Sequence, residues 1–392
     1  MPWSQTSPMD QKLLFISAYL KQRRSVVELA DDFQISRKTA YKWINRYLEE
    51  GPTGLEDQSK AAFQVHNATP PKILEALLEV RKHHRSWGAG KILRIVRGNH
   101  PAWDLPVRAT VCDILKRHGL TRKTKKRRKL IPPGKPATSI LHPNDLWTGD
   151  FKGHFKTRDG LYCYPLTVVD AYSRRILACQ AFLSPNFRQT KAVFARLFKE
   201  FGLPNRIRTD NGAPFASTAL SRLSTLSAWW IQLGIHPELI EPGKPQQNGS
   251  HERMHKTLKA EATKPPAGDQ KAQQRKFNVF TEEFNNVRPH EALGQETPSS
   301  VYKLSKRKMP KRIPDIRYPK HFEIRYVSAN GCIRWKSQWV RVTSTLKGHY
   351  IGLEEVDDGI WSVYFSNLRL GYYHEKTNRI EDDLGRYYRT FH

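Results

Sequence analysis

Apolar residues near the N-terminus recur every three or four positions, the spacing that places them on one face of a helix. Two such stretches, Val26–Phe33 and Ser36–Ile44, are separated by a short turn at residues 34–35. Ser36 can cap the second helix, because its hydroxyl accepts hydrogen bonds from the free amides at the helix start. The pattern predicts a helix-turn-helix within a domain of residues 1–66, and a helical hairpin with a solvated basic face is the alternative. The side chains expected to project outward and contact DNA are Arg37, Lys38, Thr39 and Lys42.

A second stretch of helical spacing covers residues 67–120, with a break near Trp87 and Gly88. It predicts either a second helix-turn-helix or a plain helical spacer. A basic linker at residues 121–140 follows, and its first sixteen residues include eight Lys or Arg side chains. Because like charges repel and proline interrupts helices, we expect an extended arm that follows a phosphate backbone, with a localisation signal or a solvated linker as alternatives. The arm residues expected to contact DNA are Arg127 and Arg128.

From residue 141 the apolar spacing changes between that of strands and that of helices. Helices are expected at 190–201, around Trp229–Trp230 and at 246–262. Three strands, a helix, a strand, a helix, a strand and a final helix predict a mixed α/β sheet in a domain of residues 141–265. The expected strands are 146–151, 162–170, 175–181, 205–210 and 234–241.

The remainder of the chain is expected to hold a helical extension at 266–312, a β-domain at 313–380 and a tail at 381–392. In the β-domain, short strands alternate with turns such as Asn330–Gly331 and Asp358–Gly359. This pattern predicts a small closed β-barrel, because closure leaves no strand edge exposed. The chain is therefore expected to be a multidomain protein that is all-α at its start, α/β in its centre and all-β near its end.

The composition of the chain indicates what kind of molecule it binds. The chain has 392 residues and a formal net charge of +29, which favours a polyanion such as nucleic acid. Ribosomal, membrane-surface and heparin-binding proteins are also basic, so charge alone does not decide between them. No apolar run reaches about 18 residues, so we expect no membrane span. The four cysteines are scattered without a Cys-x-x-Cys pair, which fits an intracellular, reducing location.

Three carboxylates are distinguished by their positions. Asp150 lies in a strand among apolar neighbours, where an unpaired charge is costly. Asp210 ends the fourth strand, immediately before a turn at Asn211–Gly212, and Glu252 lies early in the helix that follows. Asp, Asp and Glu from two strands and a helix can converge on hard cations, and phosphoryl transfer uses two Mg²⁺ ions about 4 Å apart.

Other charged side chains lie near these three carboxylates in the sequence. Lys256 and Lys259 follow Glu252 at helical spacing, so one helix face presents a metal ligand and two cations suited to a phosphate backbone. Asp170 sits between two strands, where a turn favours Asp, and a structural role is expected for it. Glu241 and Glu261 flank the third position at unsuitable offsets, so neither is expected to bind metal.

Four motifs resemble the integrase core of bacterial insertion-sequence transposases, a DDE-superfamily family related to retroviral integrases. They are Trp-Thr-Gly-Asp-Phe at 147–151, Val-Val-Asp-Ala-Tyr-Ser-Arg at 168–174, Arg-Thr-Asp-Asn-Gly at 208–212 and Pro-Gly-Lys-Pro-Gln-Gln-Asn-Gly-Ser-His-Glu-Arg at 242–253. The segment 285–293, Asn-Asn-Val-Arg-Pro-His-Glu-Ala-Leu, resembles the region just after that core. The resemblance covers nearly the whole chain, including the N-terminal helix-turn-helix.

The resemblance implies an RNase H-like catalytic core and a C-terminal SH3-like barrel. It implies Mg²⁺ or Mn²⁺ as the cofactor, as two ions, with Asp150, Asp210 and Glu252 as catalytic residues and metal ligands. The interval from Asp210 to Glu252 holds 41 residues, more than in retroviral integrases, so the Trp229–Trp230 region is expected to be an insertion. The residues that the resemblance places near DNA at the active site are Asn248, Lys256 and Lys259.

The function implied is that of a transposase that binds the terminal inverted repeats of an insertion sequence, cleaves DNA 3′ ends and transfers them into target DNA. Because two element ends must be brought together, a homodimer or higher oligomer on double-stranded DNA is expected. Its expected location is the bacterial cytoplasm, in association with the nucleoid. The alternatives are an inactive helix-turn-helix regulator and an integrase or nuclease on the same fold.

Overall fold

The computed structural model describes residues 7–57, 68–121, 139–217, 219–241, 245–383 and 385. The chain divides into two compact units, residues 1–70 and residues 71–392. Since residues 71–392 form one unit, the separate domains expected within this part of the chain stay a prediction. None of the helices in the described ranges is long and apolar enough to cross a membrane.

The first unit contains the predicted helix-turn-helix. Its helices are α1 (Pro8–Leu20), α2 (Val26–Asp32) and α3 (Arg37–Glu50). The Ser36 hydroxyl accepts a hydrogen bond from the Thr39 amide at 3.2 Å, so the predicted N-cap is confirmed. Gln34 has φ of +54° and makes the turn in a left-handed conformation that glycine adopts more easily. The buried residues that hold the three helices together are Phe15, Ile16, Leu29, Ala30, Ala40, Ile44 and Leu55.

The second unit begins with three helices packed around the buried Trp87. They are α4 (Pro71–His83), α5 (Ala89–Asn99) and α6 (Arg108–Arg117). Gly88 caps α5, where the sequence predicts the break. Ion pairs tie these helices to the chain that follows the central sheet: Arg94 lies 3.0 Å from Glu296, and Arg108 lies 3.2 Å from Glu291.

The central sheet has six strands: β1 (Leu146–Phe151), β2 (Phe155–Lys156), β3 (Tyr162–Asp170), β4 (Ile176–Phe182), β5 (Arg206–Thr209) and β6 (His236–Leu239). The strands run in the order β4-β3-β1-β5-β6, and β2 pairs with the start of β3. The β1 strand is antiparallel to β3 and parallel to β5, which is parallel to β6. This mixed sheet is the RNase H-like core that was expected, with β2 as an addition.

Helices cover both faces of the sheet: α7 (Phe187–Phe201), α8 (Thr225–Gln232), α9 (Gly249–Glu261) and α10 (Gln270–Glu282), followed by the short α11 (Pro298–Val301). On one face Trp147 packs against Phe194 and Phe198 of α7, and on the other Val169 packs with Leu258 of α9. Because side chains alternate along a strand, Thr148 and Asp150 share the face turned toward α9. This alternation decides what surrounds Asp150.

The segment expected to be an insertion forms α8, and this helix packs into two hydrophobic cores. Trp230 packs edge-on against Phe194, with ring centroids 4.9 Å apart, in the core under the sheet. Ala228 and Ile231 of the same helix belong to the apolar core of the C-terminal strands. The helix therefore joins the central sheet to the β-region that follows.

The C-terminal region is all-β, but the predicted closed barrel is not confirmed. Its strands are β7 (Glu323–Tyr326), β8 (Cys332–Trp335), β9 (Gln338–Arg341), β10 (Tyr350–Asp357), β11 (Ile360–Phe365), β12 (Leu368–His374) and β13 (Arg379–Glu381). Five form an open antiparallel sheet in the order β13-β12-β11-β10-β7, and β8 pairs only with β9 within the described part of the chain. The turn pattern predicts short strands separated by turns, but it does not specify whether the first strand pairs with the last.

Candidate active site

Asp150 lies near the end of β1, and its side chain is 20% exposed. Burial is the largest influence on its carboxyl group, and the negative charges of Asp210 and Glu252 act in the same direction. Together they raise the pKa of Asp150 to about 7, although the Lys152 ammonium opposes them. Asp210 and Glu252, which are 60 and 102 positions after Asp150 in the sequence, therefore lie close enough to act on its carboxyl group.

Asp210 follows β5, the parallel neighbour of β1, where Thr209 pairs with Gly149. Parallel strands end at the same edge of a sheet, so Asp210 emerges beside Asp150. Burial raises the pKa of Asp210, and the Gly212 amide opposes this by donating a hydrogen bond to its Oδ1 at 3.2 Å. A Cβ on Gly212 would lie 3.1 Å from Asp210 Oδ2, so a larger residue here would require the carboxylate to shift by a few tenths of an ångström.

Glu252 lies in the first turn of α9 and is exposed. Among the described residues, the potential metal-ligand atoms that gather within 4.8 Å of one another are those of Asp150, His251 and His255. The three predicted carboxylates do not form so tight a group. Three like charges repel one another when no cation lies between them.

His251 and His255, which were not predicted as site residues, lie on the buried side of α9. Thr167 Oγ1 lies 2.7 Å from Nε2 of both histidines, and Thr148 Oγ1 lies 2.7 Å from Nδ1 of His251. His255 Nδ1 lies 3.5 Å from Asp150 Oδ2. Burial lowers the pKa of His251 to about 3 and that of His255 to about 2, the latter with a contribution from His251, so both rings are neutral near pH 7. The sequence signal was a pair of histidines four apart on one helix face, opposite threonines in apolar strands.

Arg208 connects the segments that carry Asp210 and Glu252. It is buried in β5, and its Nε and Nη2 donate to Glu238 Oε2 at 3.1 and 2.9 Å. Its Nη1 donates to the backbone oxygen of Gln247 at 3.0 Å, just before α9 begins. This guanidinium therefore ties the start of the helix to the strand that ends at Asp210.

The rival carboxylates have structural partners. Asp170 is fully buried, and its oxygens accept hydrogen bonds from the amides of Asn144 and Ser173 and from the Ser173 hydroxyl. Its predicted role in the turn is therefore confirmed. Glu261 accepts two hydrogen bonds from Arg288 Nη1, at 2.8 and 3.0 Å, and Glu241 Oε1 accepts one from Gln247.

The residues expected to contact DNA differ in how accessible they are. Lys256 and Lys259 are exposed on α9, and Lys256 borders a cavity of about 450 Å³ that Arg81 and Arg85 also line. Asn248 is buried, and its Oδ1 has no hydrogen-bond partner in the described part of the chain. On α3, Arg37, Lys38 and Lys42 are exposed and Thr39 is half-buried. Arg127 and Arg128 lie outside the described residues, and contact with DNA stays a prediction for all of these side chains.

Comparison with known families agrees with this architecture. Two models, each described as an integrase core domain, match residues 141–245 and 233–298. A helix-turn-helix domain matches residues 11–62, and a homeodomain-like domain matches residues 39–115. The fold and these matches define a protein with helix-turn-helix domains and an integrase core.

Its relatives are an insertion-element protein and retroviral proteins. The 39.2 kDa protein of insertion element IS476 from Xanthomonas euvesicatoria is 29% identical over 276 residues, which is 65% of this chain and 74% of that protein. The Gag-Pol polyprotein of baboon endogenous virus is 32% identical over 134 residues, 34% of this chain but 7% of the polyprotein. The HTLV-2 integrase catalytic core domain in complex with magnesium matches 42% of this chain and 99% of that domain at 19% identity, with a TM-score of 0.34. The chain therefore contains an integrase core domain and helix-turn-helix domains, and it is similar to an insertion-element protein and to part of a retroviral polyprotein.

Proposed function

We propose that the chain is a DDE transposase that binds the terminal inverted repeats of an insertion sequence, cleaves DNA 3′ ends and joins them to target DNA. The observation that carries this proposal is the electrostatic grouping of Asp150, Asp210 and Glu252 at one edge of the sheet. Collecting three carboxylates around a partly buried position costs free energy, and a bound cation reverses that cost. Homology to an insertion-element protein supports the choice of substrate.

The donor set fits divalent cations. Carboxylate oxygens are hard ligands that suit Mg²⁺ or Mn²⁺, and Asp150, Asp210 and Glu252 would hold two such ions. When bound, the ions make the attacking oxygen more nucleophilic and stabilise charge on the leaving oxygen. His251 is less suited to this task, since both of its ring nitrogens lie 2.7 Å from threonine hydroxyls.

The reaction has two displacements at phosphorus. Water first attacks the phosphodiester at the element terminus, which breaks the bond to the 3′ oxygen and leaves a 3′-hydroxyl. That hydroxyl then attacks a phosphodiester of the target, so one phosphodiester bond forms as another breaks, and no covalent protein–DNA intermediate is needed. Lys256 and Lys259 would hold the phosphate backbone beside Glu252, where their exposure leaves them accessible.

Recognition of the element ends falls to other parts of the chain in this proposal. The exposed side chains of α3 would enter the major groove, as the second helix of a helix-turn-helix does. Arg127 and Arg128 would follow the backbone between the binding and catalytic regions. Two ends must be held together for joining, so the active species would be a homodimer or a larger assembly on DNA.

The test uses the full-length protein and a DNA end taken from its own flanking sequence. Nicking and joining to a plasmid are followed with Mg²⁺, Mn²⁺ or EDTA, for the wild type and for Glu252→Gln. Glu200→Gln, at an exposed position on α7, is the matched control. We expect metal-dependent joining that is lost in Glu252→Gln and retained in Glu200→Gln.

Binding is measured separately from chemistry. Asp150→Ala, Asp210→Ala and Glu252→Ala are expected to abolish cleavage while end binding stays within about threefold of wild type. Tight end binding without chemistry under either metal would instead support an inactive helix-turn-helix regulator. Cutting without joining would support a nuclease on the same fold.

A further inference from the structure

The buried network beneath Glu252 has a defined geometry. Thr167 is the direct cross-strand partner of Asp150, so both side chains face α9. The Thr167 hydroxyl contacts Nε2 of His251 and of His255, and the other nitrogen of His255 is the one that faces Asp150. Thr148 completes the chain of contacts at Nδ1 of His251. Both threonines and both histidines are less than 9% exposed, so the network is shielded from bulk water.

If both rings are neutral and no metal ion lies between His255 and Asp150, one arrangement of protons satisfies these contacts when Asp150 is ionised. A bare Nδ1 would repel the carboxylate, so His255 must carry its proton on Nδ1 and leave Nε2 bare. The bare Nε2 then accepts from the Thr167 hydroxyl at 2.7 Å, a shorter contact than the 3.1 Å between this hydroxyl and the Asp150 backbone oxygen. His251 then donates from Nε2 to Thr167, and its bare Nδ1 accepts from Thr148 at 2.7 Å, whereas the Val169 backbone oxygen lies 3.3 Å from the same hydroxyl. The two neutral histidines therefore hold opposite tautomers.

We propose that His255 is the residue that positions Asp150, and that Thr167, His251 and Thr148 fix the tautomer with which it does so. This inference rests on the proposed function, because it takes Asp150 to be the metal ligand. The separation of 3.5 Å between His255 Nδ1 and Asp150 Oδ2 is longer than the usual N–H···O hydrogen bond of about 2.7–3.2 Å, and it places the ring nitrogen beside the carboxylate. In this proposal His255 is a positioning residue; coordination of a metal ion by its Nδ1 would instead require the proton on Nε2, and the first experiment distinguishes the two.

The arrangement links the sheet to the helix. Asp150 lies on β1, whereas His255 lies on α9 three residues after Glu252. A shift or rotation of α9 relative to the sheet would therefore move both Glu252 and His255, and it would take His255 away from Asp150. Partners of this kind typically change metal affinity by about 10-fold to 100-fold when they are removed.

The first experiment reads the tautomers directly in the wild-type protein. Full-length protein with ¹⁵N-labelled histidine is saturated with Mg²⁺ at a pH slightly above neutral. Long-range ¹H–¹⁵N spectra then assign the protonated nitrogen of each ring. Spectra of His251→Gln and His255→Asn assign the signals. We expect the Nδ1–H tautomer for His255 and the Nε2–H tautomer for His251. The same tautomer in both rings would overturn the proposal.

The second experiment measures binding of Mn²⁺ to DNA-free protein by electron paramagnetic resonance. His255→Leu is expected to weaken binding by about 10-fold or more, and Thr167→Val by about 3-fold to 10-fold. His255→Asn keeps an N–H donor at the place of Nδ1, and Thr167→Ser keeps the hydroxyl. The Mn²⁺ affinity of both conservative variants is expected to stay within about 3-fold of that of wild type. A purely structural role would not produce this rescue. Thermal unfolding in EDTA confirms that each variant is folded, and Thr167→Val still tests the proposal if His255→Leu does not fold.

Asp150→Asn separates failure of this inference from failure of the proposed function. Mn²⁺ binding in Asp150→Asn equal to that of wild type would show that Asp150 is not a ligand, and would count against the proposed function. Weakened binding in Asp150→Asn together with wild-type binding in His255→Leu and Thr167→Val would overturn the positioning role alone. Weakened binding in His255→Leu with rescue in His255→Asn would support it.

Discussion

The ends of β1 and β3 offer two carboxylates in adjacent strands with opposite surroundings. Burial raises the pKa of both Asp150 and Asp170. Asp170 is compensated by two backbone amides and a hydroxyl that donate to its oxygens. Asp150 instead faces two further carboxylates and a neutral histidine 3.5 Å away. A buried carboxylate with complete hydrogen bonds stabilises the fold, whereas one surrounded by like charge depends on a ligand.

The largest expected effect is on strand-joining activity, which should depend on Asp150 but not on Asp170. Asp150→Asn removes one negative charge from the group and one metal ligand, so strand joining should fall by about 10³-fold or more. The free energy of unfolding in EDTA should stay the same or rise, because the variant has less repulsion. Joining is measured with the assay described above, and unfolding with urea. A large loss of stability in Asp150→Asn would show that this carboxylate is structural, as Asp170 is.

Asp170→Asn is expected to have the reverse profile. The amide nitrogen of Asn cannot accept the hydrogen bonds that the Ser173 amide and hydroxyl donate, and the site is fully buried. An unsatisfied buried group of this kind costs about 2–3 kcal/mol, which urea unfolding would detect. Joining per folded molecule should remain near that of wild type at low temperature. A 10³-fold loss of joining in folded Asp170→Asn would contradict its assignment to the turn.

The two positions also differ in how well the sequence predicts them. The role of Asp170 depends on residues within a few positions of it, apart from Asn144, and a local turn pattern is sufficient to predict it. The contacts around Asp150 join Thr148 to His251 and Thr167 to His255, residues 103 and 88 positions apart. Nothing local distinguishes these threonines from ordinary strand residues, so the network was missed.

The same division applies to the fold. Strands β1 and β3 were predicted with their observed bounds, because their apolar spacing is a local property. The two-residue β2 was missed, since so short a strand has no periodicity. The expected barrel failed for a long-range reason: its closure depends on whether β7 pairs with β13, whose positions in the chain are far apart.

The next largest expected effect is a change in the free energy of unfolding with pH. The folded-state pKa of Asp150 is about 7, whereas an unfolded Asp has a pKa of about 3.9. A raised pKa means that the neutral form favours folding, so this contribution is fully present below about pH 4 and is lost as the pH rises through 7. In EDTA, the stability of wild type relative to Asp150→Asn should therefore fall by roughly 3 kcal/mol between pH 4 and pH 7.

Comparison with the variant is needed because other groups titrate in the same interval. The lowered pKa values of His251, His255 and His290 give the opposite trend, since stability that depends on neutral histidines is lost as the pH falls below about 6.5. These histidines are present in both proteins, so their contribution cancels to first order in the difference. Saturating Mg²⁺ should reverse the difference at pH 7 by favouring the ionised form. A difference that does not change between pH 4 and pH 7 would contradict the repulsion among the three carboxylates.

The smallest expected effect tests whether the two carboxylates are independent. The Ser173 hydroxyl donates to Asp170 Oδ2 at 2.6 Å and accepts from the Arg175 amide at 3.3 Å. Ser173→Ala removes these contacts but leaves the Ser173 amide in place, so stability should fall by about 1 kcal/mol. Mn²⁺ affinity and joining should not change, because no hydrogen bond among the described residues joins Ser173 to His255, Thr167, His251 or Thr148. Thr167→Val is the matched comparison, since it also removes one buried hydroxyl from the same sheet but is expected to weaken Mn²⁺ binding. If Ser173→Ala weakened Mn²⁺ binding as much as Thr167→Val does, the ends of β1 and β3 would have to be treated as one coupled site.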